Sequence, residues 1–225
     1  MLKATKFHLE RKIAIEAVRK ASKVCLQVFN SLAQGETVVK DDKSPVTVAD
    51  YSAQAVINTI LSEKFPNDPI VGEEDANFLR TPEGKSVSDR IADLVNTSFS
   101  IPKTNEQILD AIDKGNYQGG SKGRFWTLDP IDGTKGFLRG GQFAVCLALI
   151  VNGSVELGVL GCPNLLLKEA DSKRGVIFVA ERGNGAYQQL LSEESENWEL
   201  IRMTKLADIS KARFCESVES GHSSS

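Results

Sequence analysis

The sequence predicts an α+β layered sandwich, because two long helical patterns open the chain and antiparallel hairpin patterns follow them. Its 225 residues, 41% hydrophobic and 25% charged, have the balance of a globular protein with enough chain to bury a sizeable core.

The first helix is read from Leu9, Ile13, Ala17, Ala21, Cys25, Val28 and Leu32, three or four residues apart with charges between them, and from Gly35 as its stop. A polar loop, Asp41-Asp42-Lys43-Ser44-Pro45, leads to a second helix starting at Thr47 and ending near Phe65-Pro66, with Ala55, Val56, Ile60 and Leu61 inward. Pro69-Ile70-Val71-Gly72 reads as a short strand that delivers Glu73, Glu74 and Asp75 at its end. Residues 76–120 are polar and weakly patterned; helices are expected near 87–95 and 105–114, and the segment reads as an insertion or lid. Strands follow at 124–128, 142–151, 154–161, 176–180 and 186–189. Asn152-Gly153 suits a type I′ hairpin turn, and Arg182-Gly183-Asn184-Gly185 turns a second hairpin.

Charge and composition exclude several function classes. A net charge of -3 and a pI near 5.6 argue against a broad duplex-binding surface, so no nucleic-acid partner is expected. No apolar run approaches the roughly 20 residues of a membrane helix, and Met1-Leu2-Lys3-Ala4-Thr5-Lys6 lacks the features of a signal peptide, so no membrane partner is expected either. Cys25, Cys146, Cys162 and Cys215 are far apart and form no CxxC pair; they read as reduced core thiols of a cytoplasmic protein. His8 and His222 leave little material for a zinc site or a Ser-His-Asp triad. The chemistry therefore has to rest on carboxylates.

The stretch Trp126-Thr127-Leu128-Asp129-Pro130-Ile131-Asp132-Gly133-Thr134 ends an apolar strand in two aspartates three residues apart. Such a turn suits divalent cations: both carboxylates can project to one side, Pro130 fixes the backbone without needing a donor, and the Ile131 carbonyl offers a further hard oxygen. Gly133 and Thr134 would open a helix whose N–H groups can receive a phosphate. An Asx turn with capping aspartates is the plain alternative. The dense cluster Glu73-Glu74-Asp75 needs solvent or cations to be tolerated, which favours the cation reading. Asp50, four residues after Lys43-Ser44-Pro45-Val46, is also explained as the third position of a capping box with Thr47.

Lys43 to Asp50, Val71-Gly72-Glu73-Glu74, and Trp126 to Gly140 together resemble the lithium-sensitive, magnesium-dependent phosphatases of the inositol monophosphatase superfamily. Within it, Lys135 to Gly140, Gln142-Phe143-Ala144-Val145-Cys146 and Gly221-His222-Ser223-Ser224 are similar to the 3′(2′),5′-bisphosphate nucleotidases. The resemblance implies a layered sandwich of the inositol monophosphatase and fructose-1,6-bisphosphatase type. It implies two or three Mg²⁺ ions held by Glu73, Asp129, the Ile131 carbonyl and Asp132, with Asp129 bridging. It further implies Asp50 and Thr134 as the catalytic pair acting on a water, and Gly133, Thr134, His222 and Ser223 as substrate contacts. The substrate would be a small bisphosphate nucleotide, 3′-phosphoadenosine 5′-phosphate, with 3′-phosphoadenylyl sulfate as a relative; roles in sulfur metabolism and salt tolerance come with the same resemblance. Inositol polyphosphate 1-phosphatase activity and a non-catalytic product remain alternatives.

One family feature has no counterpart. Members carry a later Trp-Asp motif whose aspartate completes the second metal site, whereas Trp126 and Trp198 are the only tryptophans here. The expectation is an N-terminal metal-binding domain over 1–207 and only the start of a second α/β domain over 208–225, its first strand beginning at Ala212. A weak second metal site, feeble activity and self-association through an uncovered apolar face would follow.

Overall fold

A computed structural model describes residues 5–33, 45–167 and 173–213. Seven strands form one sheet whose spatial order is the chain order: β1 (Ile70–Val71), β2 (Arg124–Asp132), β3 (Ala144–Val151), β4 (Ser154–Leu166), β5 (Arg174–Glu181), β6 (Gly185–Leu190) and β7 (Glu199–Ile201). β1 runs parallel to β2 and every later pair is antiparallel, as short hairpin connections require. The β3–β4 turn places Asn152 at φ 49 and Gly153 at φ 75, the positive angles of a type I′ turn. Helices α1 (His8–Ala33) and α2 (Pro45–Lys64) cover one sheet face, and α3 (Lys85–Asn96) and α4 (Asn105–Asp113) pack on α2 from outside. The result is the layered α+β fold.

Ile13, Ala17, Ala21, Cys25 and Val28 of α1 are buried as their spacing predicts, but Leu9 is 55% exposed; Phe7, just ahead of the helix, closes the core at that end instead. Leu32 and Gly35 lie outside the residues whose side chains are described. Arg11 and Glu181, both buried, join α1 to β5 at 3.0 Å, and Thr5 Oγ1 donates to the same carboxylate. Every residue of α2 from 48 to 61 is buried. Its polar groups must therefore find partners inside: the Ser52 and Thr59 hydroxyls donate to carbonyls one turn back, Val48 O and Ala55 O, each at 2.7 Å. The helix begins at Pro45, whose fixed φ and missing N–H suit a first helical position. Asp50 thus stands in the second turn, and the capping box with Thr47 does not form.

The segment 76–120 is no lid. Val87, Ile91, Val95, Ile108 and Ile112 are buried in the main core, and α4 carries a capping box in which Thr104 receives the Gln107 N–H while Gln107 receives the Thr104 N–H. The weak pattern arose because each helix exposes a full charged face. On the sheet face turned away from α1 and α2, Thr127, Ala148, Gly158, Ala180, Ala186 and Ile201 form one cross-strand row. Around it Leu160 is 42% and Val155 50% exposed. After residue 207 the described chain makes only a short 3-10 turn, Ile209–Lys211, and Ala212 and Arg213 form no strand; residues 214–217 of the expected strand lie outside the described residues.

α5 (Thr134–Leu138) follows β2 and is pinned by Phe137, which meets the Phe143 ring at 4.8 Å and the Phe29 ring at 5.4 Å. Gly136 lets this helix approach the next loop: a Cβ there would lie 2.1 Å from the Gln142 carbonyl oxygen. Gly136→Ala is therefore expected to push α5 away from residues 141–143 and lower stability by about 1–3 kcal/mol, the usual cost of overpacking. An unchanged melting temperature would contradict this packing.

Candidate active site

β2 carries the central carboxylates. Asp129 pairs in register with Cys146 and Asp132 with Ala144, so two residues of β2, Pro130 and Ile131, oppose one of β3, Val145, and form a bulge. Both aspartates thus belong to the strand rather than to a loop beyond it. β1 ends at Val71, which pairs in parallel with Thr127, and Glu73 two residues on is close enough to act on the Asp129 charge. α2 brings Asp50 to the same place from the helical layer, where it is 8% exposed.

The electrostatics show the convergence. Burial, then Glu74, Glu73 and Asp129, push the Asp50 carboxyl from its ordinary 3.8 up to about 8. Burial, Glu73 and Asp132 raise Asp129 in the same direction. Asp129 accepts a hydrogen bond from the Ile131 backbone, yet its Oδ1 is buried with no partner. Burial and the two aspartates also raise the Cys146 thiol to about 12. Such crowding of like charge and an orphaned carboxylate oxygen fit a hard cation, which would satisfy both. Among the described residues, no three His, Cys, Asp or Glu side chains come together as a set of metal ligands.

A raised carboxyl has a consequence for stability without cations. The folded chain keeps the Asp50 proton between about pH 4 and 8, where the unfolded chain has lost it, so stability falls as pH rises through that window. The cation-stripped chain is expected to melt at a lower temperature at pH 8.5 than at pH 6, and Mg²⁺ to restore more at the higher pH. A higher melting temperature at pH 8.5 in chelator would contradict it.

Gly133, at φ 89, turns the chain into α5, and Phe137 N donates to Gly133 O at 3.0 Å. The Thr134 and Gly136 N–H groups precede the first intrahelical bond, as the donors of an anion site would. α5 has only five residues, so local N–H groups rather than a long helix's dipole would do the binding. Thr134 Oγ1 donates to the Ile131 carbonyl at 3.4 Å; no hydrogen bond joins it to Asp50, and the carbonyl expected to be free is weakly engaged. His222, Ser223, Lys43 and Ser44 lie outside the described residues. Trp198 is remote from the carboxylates, with the Arg19 guanidinium 5.9 Å from its ring centroid. It lines a cavity of about 520 Å³ beside α1, whose lining includes the Lys23–Glu194 and Lys20–Glu16 ion pairs.

Sequence reasoning missed the residues that hold the Glu73–Glu74 turn. Gln54 Oε1 accepts from both the Glu73 and Glu74 N–H groups at 3.0 Å, and Tyr51 donates its hydroxyl to Glu74. On the far side Asp113 accepts from Ala76 N, and Arg80 bonds Asp113, Asp110 and Glu106. The available signal was an amide four residues after Asp50, in a stretch of α2 without charged residues from Tyr51 to Ser62.

The sequence profile of the inositol monophosphatase family matches residues 9–225. The chain belongs to that family. This member of the inositol monophosphatase family is 43% identical to a 3′(2′),5′-bisphosphate nucleotidase of Schizosaccharomyces pombe, over 96% of its own length and 65% of the relative's. It is 44% identical to one from Emericella nidulans, over 96% and 68% respectively, and 39% identical to 3′(2′),5′-bisphosphate nucleotidase 1 of Arabidopsis thaliana, over 96% and 66%. The chain thus spans about two thirds of the length of these curated relatives. The crystal structure of CysQ from Bacteroides thetaiotaomicron, a bacterial member of the family, shares the fold with TM-score 0.52 at 23% identity, covering 90% of this chain and 61% of that one. Among the described residues no helix is long and apolar enough to cross a membrane.

Proposed function

We propose that the chain carries the catalytic centre of a Mg²⁺-dependent phosphatase that hydrolyses the 3′-phosphate of 3′-phosphoadenosine 5′-phosphate to AMP and phosphate. The observation that carries the reading is the buried, unpartnered Asp129 Oδ1, on a carboxylate that Glu73 and Asp132 crowd with like charge and that itself acts on Asp50. The identity to bisphosphate nucleotidases supports the choice of substrate. Glu73, Asp129, the Ile131 carbonyl and Asp132 would hold the cations. Divalent ions there supply neutralisation of phosphate oxygens and a more acidic water. The chain's own groups do the rest. The N–H groups after Gly133 hold phosphate oxygens. Asp50, through Thr134, takes the proton of the attacking water, whose oxygen bonds phosphorus as the bond to the 3′ oxygen breaks, and a solvent water protonates the departing alkoxide. His222 and Ser223 contact the nucleotide. The three described cysteines are free, which fits a cytoplasmic setting, and lithium inhibition belongs to the same reading.

Phosphate release from 3′-phosphoadenosine 5′-phosphate and from inositol 1,4-bisphosphate, with and without Mg²⁺, tests the assignment. The expected result is Mg²⁺-dependent release that favours the nucleotide. Preference for the inositol substrate, or release indifferent to Mg²⁺, would overturn it; cation binding without any turnover would make the chain a non-catalytic product.

A further inference from the structure

Beyond Asp50, α2 buries two amides one turn apart, Gln54 and Asn58, both wholly inaccessible to solvent. Leaving a buried amide's donors or acceptor unengaged is costly, so the partners it takes point to its role. Gln54 commits nearly everything to one turn. Its Oε1 accepts from Glu73 N and Glu74 N, and its Nε2 donates to Glu74 O at 2.6 Å and to Ile112 O at 3.0 Å. No strand ladder holds that turn, since β1 ends at Val71 and the Gly72 N–H goes to Gly115 O at 2.7 Å. Space around the amide is kept by the two glycines: a Cβ on Gly72 would lie 2.6 Å from Gln54 Oε1, and one on Gly115 would lie 2.7 Å from its Nε2. Asn58, equally buried, bonds only the Ala111 and Ile112 carbonyls and never touches the acidic turn.

We propose that Gln54 is a positioning residue that clamps the Glu73–Glu74 turn and so holds the Glu73 carboxylate beside Asp129 for cation binding. Asp50 and Gln54 lie four residues apart on one side of α2, so a single rigid helix sets the place of a site carboxylate and of the opposing turn. Without the clamp, ordering Glu73 would be charged against each binding event, and the cost would appear as lost cation affinity. The inference rests on the cation reading given under the proposed function.

Titration calorimetry of Mg²⁺ into the full 225-residue chain tests it, with circular dichroism as the check on folding. Gln54→Met removes the clamp, and Gly72→Ala drives the amide off the turn without altering Gln54 itself. Both are expected to weaken Mg²⁺ binding by roughly 10- to 100-fold, the usual loss when groups that orient ligands are removed. Asn58→Ala is expected to lower the melting temperature and leave Mg²⁺ affinity unchanged. Wild-type affinity in both Gln54→Met and Gly72→Ala would overturn the proposal, as would an equal loss in Asn58→Ala, which would mark the effect as general softening of α2. Should Gln54→Met fail to fold, Gly72→Ala decides. Absence of Mg²⁺ binding in the wild-type chain would instead defeat the cation reading, and this inference with it.

Discussion

Asp129→Asn should raise the melting temperature of the cation-free chain and abolish its response to Mg²⁺. Asp129 sits between Glu73 and Asp132, faces Asp50, and has one oxygen buried without a partner. Removing its charge relieves repulsion in the empty cluster, so the apo variant is more stable. The same change takes away the carboxylate that interacts with Glu73, with Asp132 and with Asp50. A ligand present at one hundred times its Kd stabilises a folded protein by about 2.7 kcal/mol. For a chain of this size that corresponds to a melting shift of roughly 5 to 10 °C in the wild type and none in the variant. Differential scanning fluorimetry with chelator and with excess Mg²⁺ gives both numbers. A destabilised apo variant that still responds to Mg²⁺ would show that Asp129 is a structural capping residue.

Arg11→Met should cost about 3–5 kcal/mol, because it strands the Glu181 carboxylate in the core. The two side chains are 5% and 3% exposed, and Arg11 reaches Glu181 from the first third of α1 at 3.0 Å. Thr5 Oγ1 at 2.6 Å and Asn184 Nδ2 at 3.2 Å remain as neutral donors to the carboxylate and do not replace a cation. Replacing both partners, Arg11→Met with Glu181→Leu, should recover most of the loss, since an apolar pair of similar volume has no desolvation penalty. Denaturant melts of the two single variants and the double variant measure this coupling; a single-variant loss below about 1 kcal/mol would place the pair in the class of surface ion pairs.

Much of the fold was legible because its periodicities are strong. The α1 stripe from Ile13 to Val28, the Asn152-Gly153 turn and the two hairpins were readable from residue spacing alone. α3 and α4 were harder to place as core because their charged outer faces dilute the apolar pattern, and β7 has only three residues. For the site, the acid-rich motifs marked carboxylates whose charges act on one another, since residue type and strand-end position carry that information. The parts that position them were hidden. Gln54 acts across 19 and 20 residues of sequence, and Asp113 across 37, so no local spacing marks them. The helix start at Pro45 was misread for a related reason: Thr47 with Asp50 imitates a capping box, while a proline two residues earlier sets the actual start.

The central claim is that Asp50, Glu73, Asp129 and Asp132 surround a divalent cation site that serves phosphate hydrolysis. Crystals of the chain grown with Mn²⁺, examined by anomalous scattering, test it most directly. The expected result is a peak coordinated by Asp129 together with Glu73 or Asp132. Ordered carboxylates at full Mn²⁺ saturation with no peak among them would contradict it.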